Sequence, residues 1–218
     1  MKKIDLLQGL PKSRRNITAR QHAKTPEIIA KSREFGEEYF DGPREYGYGG
    51  YMYDGRWKPV ARDIVAHFDL KSGDKVLDVG CAKGFLVKDL MSVCPGLEVF
   101  GVDVSEYALM NCEPEVVGRL QIANCERLPF PDNSFDAVIS INTIHNCERP
   151  GVIRSLREIE RLSPGRSFIQ VDSYFNEEQK AIFLDWVLTA NFHDYPDKWV
   201  ELFAEAEFTG DYNWTILE

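Results

Sequence analysis

A chain of 218 residues is long enough to bury one hydrophobic core, and its length favours one domain with modest additions. Its hydrophobic fraction of 44% and its charged fraction of 28% are typical of a soluble globular protein. The formal net charge of -9 argues against nucleic acid as the main partner, because phosphate backbones are bound by basic surfaces.

Cysteine content and hydropathy narrow the protein class further. The five cysteines are odd in number and form no C-x-x-C pair, which argues against a disulfide framework and a zinc site. No apolar run approaches the ~20 residues of a membrane-spanning helix, and the N-terminal apolar stretch is too short for a signal peptide. We therefore expect a cytoplasmic protein with reduced thiols, no bound metal and no membrane partner.

Residues 1–57 differ from the rest of the chain. They are polar or aromatic and contain one predicted helix, Pro26–Phe40. A basic cluster within them is predicted to form a solvated, loosely ordered arm; it comprises Lys12, Arg14, Arg15, Arg20 and Lys24. We assign residues 1–57 to an N-terminal extension and residues 58–218 to the main domain.

Helical and strand patterns alternate from Lys58 onward. The predicted helices are Pro59–Phe68, Phe85–Cys94, a segment capped by Ser105, Gly151–Leu162 and Asp197–Glu207. The predicted strands are Lys75–Val79, Glu98–Val102, Gly118–Ala123, Phe135–Ile141, Ser167–Val171 and Tyr212–Leu217. The segment Ile182–Ala190 fits either a helix or a strand. Strands separated by helices indicate a mainly parallel sheet, and the last strand is predicted to join its edge antiparallel.

The most informative motif runs from Val76 to Gly84 and reads as a strand, a small-residue loop and the start of a helix. Such a loop lets a ligand approach the backbone, and free N–H groups at the helix start suit its polar end. Asp103 ends the next strand about twenty residues later, where a carboxylate can accept the hydroxyls of a ribose. Asp78 would repel a pyrophosphate and attract the α-ammonium of a methionine, which favours S-adenosylmethionine over NAD.

Four ordered segments resemble the motifs of class I S-adenosylmethionine-dependent methyltransferases of the small-molecule, quinone-biosynthesis-like type. The segments are Val76–Gly84, Gly101–Ser105, Asn124–Asp136 and Arg157–Gly165. The resemblance implies an α/β, Rossmann-like, mostly parallel seven-stranded sheet with helices on both faces and an antiparallel edge strand. It also implies S-adenosylmethionine as the cofactor.

The resemblance further implies which residues contact this cofactor. From its methionine end to its adenine end they are Asp78, Gly80, Cys81, Ala82, Gly84, Asn142, Asp103, Val104, Asn124 and Cys125. Two of them depart from the family pattern. Ala82 replaces a glycine, which requires a negative φ or an adjusted turn, and Asn124 replaces an aspartate, which should weaken adenine binding modestly.

His145 and Asp172 are the candidate catalytic residues. His145 follows the fourth strand, at the edge where the crossover loops of an α/β sheet meet a ligand. Its ordinary pKa of ~6.5 makes it a usable base near neutrality. Asp172 follows the fifth strand and is an alternative base or a substrate anchor. The sequence leaves open whether His145 is catalytic or structural.

An unusual segment of five aromatic residues and four glycines precedes the main domain. We assign its aromatic residues to the acceptor site; they are Tyr46, Tyr48, Tyr51, Tyr53 and Trp57. One hypothesis is a mobile lid that closes over the acceptor and excludes water. The other is a turn-rich segment whose rings pack on their own domain.

The sequence favours an enzyme that transfers a methyl group to an oxygen or nitrogen of a small molecule, such as a sugar or an amine. The alternatives are an acceptor on a protein or a tRNA, a non-catalytic S-adenosylmethionine-binding regulatory module, and an NAD-dependent reductase. The acceptor and the oligomeric state are not encoded in these motifs.

Overall fold

The computed structural model describes residues 1–11 and 15–217. Lys12 and Arg14 of the predicted basic arm lie outside the described residues. Among the residues that the structure describes, no helix has both the length and the apolar character needed to cross a membrane.

Helices and strands alternate through most of the chain, close to the predicted bounds. The helices are α1 (Ile17–Ala23), α2 (Pro26–Ser32), α3 (Glu37–Phe40), α4 (Lys58–Phe68), α5 (Phe85–Val93), α6 (Glu106–Met110), α7 (Arg149–Leu162), α8 (Glu177–Trp186) and α9 (Pro196–Glu205). The strands are β1 (Lys75–Val79), β2 (Glu98–Asp103), β3 (Leu120–Ile122), β4 (Ala137–Ile141), β5 (Ser167–Asp172) and β6 (Asp211–Thr215).

The strands form a single parallel sheet in the order β3-β2-β1-β4-β5-β6. The prediction of a seven-stranded sheet with an antiparallel edge strand is therefore wrong: the described residues form six strands, all parallel. β6 pairs with β5 in parallel register, with Phe168 opposite Asp211 and Asp172 opposite Thr215. The physical reason is that α9 packs on the sheet beside α7 and returns the chain along that face, so that β6 starts at the same end as β5.

The sheet is buried on both faces, as a parallel sheet requires. Successive residues of β1 point to opposite sides, so Val76 joins one core cluster and Leu77 joins the other. α4 and α5 cover the first side, while α7 and α9 cover the second. The strand order reverses between β1 and β4, and the carboxyl ends of these strands therefore open a crevice for a ligand.

The N-terminal segment is more structured than predicted. The predicted helix Pro26–Phe40 is wrong as one unit, because Phe35 has a φ of +51 and separates α2 from α3. The prediction of a solvated arm is wrong for Arg20, which lies in α1 and is only 6% exposed. Residues 2–4 cover the edge of β6, since Ile4 N–H donates to the Tyr212 carbonyl at 2.9 Å.

Trp199 fixes α9 against the carboxyl end of β5 and offers a test of the fold. Its side chain is fully buried, and its Nε1–H donates to the Asp172 carbonyl at 3.1 Å. Trp199→Ala should lower the free energy of unfolding by about 3–5 kcal/mol, whereas Trp199→Phe should cost only about 1 kcal/mol for the lost hydrogen bond. Urea denaturation measures both changes. The half-exposed Ile122→Ala is the control, and equal losses in Trp199→Ala and this control would contradict the packing.

Candidate functional site

The loop between β1 and α5 is fixed to the end of β2. The N–H groups of Gly80 and Cys81 both donate to the Val102 carbonyl, at 2.7 and 3.0 Å. Gly80 has a φ of +86, and a Cβ on it would lie 1.9 Å from Thr143 Oγ1. Only glycine therefore fits at this position, because the Thr143 side chain occupies the place of a Cβ.

Ala82 adopts the conformation of the glycine that it replaces. Its φ is +48, so the requirement of a negative φ or an adjusted turn was wrong. The left-handed conformation costs a residue with a Cβ about 1–2 kcal/mol. A charge-assisted hydrogen bond offsets this cost, because Ala82 N–H donates to Asp103 Oδ2 at 2.8 Å. Asp103 also accepts the Ser105 N–H at 2.9 Å, which leaves its remaining lone pairs for a ligand.

Asp78 is a buried carboxylate at the end of β1, and only 4% of it is exposed. Within residues 1–11 and 15–217 its carboxylate has neither a salt-bridge partner nor a hydrogen-bond donor. Burial, followed by the negative charge of Asp103, raises the pKa of Asp78 to about 7. An unpaired buried carboxylate is costly, and a cationic ligand group would remove that cost. The site therefore fits an ammonium group beside the glycine loop.

One cavity at the ends of β2 and β4 has a volume of 560 Å³. We call it the nucleoside cavity, after the predicted adenine-side residues that line it. It brings together the predicted adenine-side residues Asp103, Val104, Asn124 and Cys125. The Val104 side chain is 49% exposed, which leaves an apolar surface against which a flat ring can pack. Asn124 Oδ1 already accepts the Glu126 N–H at 2.9 Å, but its second lone pair and its NH₂ group are left for a ligand.

A second cavity, with a volume of 540 Å³, lies beside the nucleoside cavity. We call it the acceptor cavity, after the residues that the sequence assigns to the acceptor. The predicted residues that line it are Asp78, Gly80, Cys81, Ala82, Asn142, His145, Asp172, Tyr48, Tyr51 and Trp57. Gly80, Ala82 and Asn142 line both cavities, so one ligand can extend from the nucleoside side to the acceptor side. Gly84 lines neither cavity; it caps the start of α5 with a φ of +78.

His145 and Asp172 meet at the inner wall of the acceptor cavity. His145 Nδ1 accepts the Asp172 N–H at 3.1 Å, so the ring proton of the neutral histidine is on Nε2. Nε2 lies 3.5 Å from Asp172 Oδ2. Burial lowers the pKa of His145, against the opposing effect of the Asp172 charge. His145 is therefore neutral near pH 7, and its Nε2 lies beside the Asp172 carboxylate without a hydrogen bond to it.

The aromatic segment covers the acceptor cavity and also packs on its own domain. The Tyr51 ring stacks on Phe85, with ring centroids 4.6 Å apart. The Tyr53 hydroxyl donates to Asp89 Oδ1 at 2.6 Å. Neither Tyr53 nor Tyr46 lines the nucleoside cavity or the acceptor cavity. That the segment moves as a lid stays a prediction.

Several lining residues were not predicted from the sequence. Tyr39, at the end of α3, lines both cavities beside Tyr48, and no sequence pattern distinguishes it from a packing residue. Arg15, Arg20 and Arg44 also line the acceptor cavity. Arg15 and Arg20 belong to the basic cluster of the sequence, but that cluster was predicted to form a solvated arm.

Comparison with known proteins finds similarity to methyltransferases. The sequence model of the family described as methyltransferase domain matches residues 77–169. A demethylmenaquinone methyltransferase of Symbiobacterium thermophilum is 37% identical over 56% of this chain and 51% of that protein. Phosphoethanolamine N-methyltransferase 3 of Arabidopsis thaliana is 29% identical over 68% of this chain and 28% of that protein. The chain thus matches about half or less of the length of these relatives.

Solved structures share the fold. A protein in complex with the Haloferax volcanii Trm112 methyltransferase activator superposes with a TM-score of 0.57 at 21% identity, over 89% of this chain and 77% of that chain. A SAM-dependent methyltransferase of Methanosarcina mazei gives a TM-score of 0.52 at 21% identity, over 65% of this chain and 82% of that chain. At these identities the likeness concerns the fold alone.

The buried Asp78 carboxylate predicts a pH-dependent stability of the ligand-free protein. Its pKa rises from an ordinary value of 3.8 to about 7 on folding, so the folded state holds the proton more tightly than the unfolded state. The contribution of Asp78 to stability should therefore fall as the pH rises from about 4 to about 7, by up to about 1.4 kcal/mol per pH unit. Asp78→Asn should be more stable than the parent at pH 8 and gain less at pH 5. Urea denaturation at both pH values measures the difference, and a gain that is independent of pH would contradict the burial of the charge.

Proposed function

We propose that the chain is a class I S-adenosylmethionine-dependent methyltransferase that transfers a methyl group to an oxygen or nitrogen of a small molecule. The observation that carries the proposal is the buried, unpaired Asp78 carboxylate beside the bare Gly80 backbone. This pair fits the amino-acid end of S-adenosylmethionine, with Asp78 facing the α-ammonium. When bound, S-adenosylmethionine supplies an electrophilic methyl group on a sulfonium.

The other cofactor contacts follow from the two cavities. Asp103 would hold the ribose, while Val104, Asn124 and Cys125 would surround the adenine in the nucleoside cavity. Asn142 stands between the cavities, with its Oδ1 accepting the Thr215 hydroxyl at 2.7 Å. The order of the strands is the one found in dinucleotide-binding folds. Asp78 is the residue that disfavours a dinucleotide, because its carboxylate would face a pyrophosphate.

Asp172 is better placed than His145 to remove a proton from the acceptor. The Nδ1 lone pair of His145 already accepts a backbone N–H, and its Nε2 carries the ring proton. The imidazole therefore has no free lone pair, and we assign it to positioning Asp172, whose backbone N–H it accepts. Asp172 then accepts the proton of an alcohol or ammonium acceptor. The hypothesis that His145 is itself the base is the less favoured of the two.

The size and lining of the acceptor cavity favour a small acceptor over a protein or a tRNA. Tyr39, Tyr48 and Tyr51 line it on the side of the N-terminal segment, and the chain carries a net charge of -9. We propose on this basis that residues 1–57 shape the acceptor site of the domain formed by residues 58–218.

Cofactor binding tests the placement of the two strand-end aspartates. Asp78→Asn and Asp103→Asn should each weaken S-adenosylhomocysteine binding at least about tenfold at pH 8, because each removes a charged partner of the ligand. Isothermal titration calorimetry measures the affinities. The control is Asp69→Asn, an exposed position with a φ of +50 at the end of α4, where asparagine is tolerated. Parent-like affinity in both test variants would remove the basis of the proposal.

Turnover tests the roles of Asp172 and His145. Product analysis by mass spectrometry, with S-adenosylmethionine and pools of hydroxylated and amino compounds, should show S-adenosylhomocysteine and a methylated acceptor. With that acceptor, Asp172→Asn should lower kcat by about 100-fold or more, with cofactor affinity unchanged. His145→Ala should lower kcat less, because the carboxylate remains. Cofactor binding without any methylated product would favour a regulatory module, and a larger loss in His145→Ala would make His145 the base.

A further inference from the structure

We propose that the acceptor carries an anionic group, a phosphate or a carboxylate, which is bound by Arg15, Arg20 and Arg44 in the acceptor cavity. This inference rests on the proposed function and narrows its substrate class. All three arginines come from the N-terminal segment and line the cavity that also contains Asp172.

The three guanidinium groups surround one indole ring. Their central carbons lie 5.8, 4.7 and 5.3 Å from the centroid of Trp186, for Arg15, Arg20 and Arg44 respectively. An aromatic ring attracts each cation, but it carries no net charge and neutralises none of them. The cluster therefore brings three positive charges close together; Arg20 is buried, whereas Arg15 and Arg44 are exposed to solvent.

The cluster lacks the counter-charge that such a grouping normally has. In the part of the chain that the structure describes, no carboxylate lies within salt-bridge distance of these guanidinium groups, although the sequence contains 35 acidic residues. Arg20 is 6% exposed and donates to the backbone carbonyls of Glu45 and Gly47, at 3.0 and 3.1 Å. Arg44 also donates to the Gly47 carbonyl. These neutral acceptors orient the guanidinium groups but leave their charge uncompensated.

The cost of this arrangement supports a ligand. Burial, followed by repulsion from Arg44, lowers the pKa of Arg20 to about 10. Burial likewise lowers the pKa of Arg44. A bound anion would stabilise the charged form of both arginines and so raise their pKa values. The planar guanidinium group also matches the oxygens of a phosphate or a carboxylate.

The position of the cluster favours the acceptor over the cofactor. Trp186 ends α8, which follows β5, and none of the three arginines or Trp186 lines the nucleoside cavity. The predicted contacts of the methionine end line the acceptor cavity as well, but at the ends of β1 and β4; they are Asp78, Gly80, Cys81, Ala82 and Asn142. A small molecule with an anionic tail at the arginines can thus present an oxygen or nitrogen towards Asp172.

Binding of phenyl phosphate, with phenol as its neutral control, tests the inference. In protein saturated with S-adenosylhomocysteine, calorimetry should show at least about tenfold tighter binding of phenyl phosphate than of phenol. Arg15→Met should weaken phenyl phosphate binding about tenfold or more, and Arg15→Lys should weaken it less because the charge remains. Arg44→Met should also weaken it. Arg15 makes no hydrogen bond within the described residues, so its replacement should leave folding intact.

Arg56 provides the matched control. It lines the same cavity, but Asp54 compensates its charge through contacts of 2.6 to 2.9 Å. Arg56→Met should therefore bind phenyl phosphate like the parent protein. Parent-like binding in Arg15→Met and Arg44→Met, or equal affinity for phenol and phenyl phosphate, would overturn the inference.

A loss of S-adenosylhomocysteine affinity in Arg15→Met, with phenyl phosphate binding unchanged, would assign the arginines to the cofactor carboxylate and would also overturn it. In that case the proposed methyl transfer would still stand. Failure of the parent protein to bind S-adenosylhomocysteine would instead contradict the proposed function, while phenyl phosphate binding to the free protein would still decide the role of the arginines.

Discussion

The hydrogen bond from Ala82 N–H to the Asp103 carboxylate holds the site together. It joins the glycine loop after β1 to the end of β2 and stabilises a left-handed alanine that would otherwise favour a different turn. The same carboxylate stands near Asp78, and its charge contributes to the raised pKa of that residue. The Asp103 carboxylate therefore fixes the conformation of the loop backbone and also adds negative electrostatic potential beside it. Asp78 and Asp103 give the site an excess of negative charge, which a cationic ligand can compensate.

The N-terminal segment is docked through polar contacts that also serve the glycine loop. Lys83, within that loop, pairs with Asp41 at 2.6 Å and is 93% buried as part of this contact. Asp41 also accepts the Tyr107 hydroxyl at 2.7 Å and the Tyr51 N–H at 3.0 Å. The acceptor wall is thus tied to the cofactor loop through one carboxylate. A displacement of the segment would disturb the loop as well, so binding at the two cavities should be coupled energetically.

The sequence predicts those parts of the fold that depend on local patterns. The bounds of β1 follow from a short apolar run that ends in a glycine loop, and Asp78 and Asp103 are located because strand ends meet at one sheet edge. The orientation of β6 was missed because it depends on the return of the chain through α9 along the sheet, which a period-two pattern does not encode. The conformation of Ala82 was missed because its stabilising partner lies 21 residues away in sequence.

The arginines show a different limit of sequence analysis. A run of basic residues in a polar segment is usually solvated, and only tertiary packing brings Arg20 into a buried position beside Arg44 and Trp186. In the folded chain, charges of opposite sign line one crevice. Carboxylates lie at the ends of β1, β2 and β5, and the guanidinium groups belong to the N-terminal segment. An anionic group on the acceptor would pair with this positive charge. At Arg20, the buried member of the cluster, such a group would also offset the free-energy cost of burying the guanidinium group.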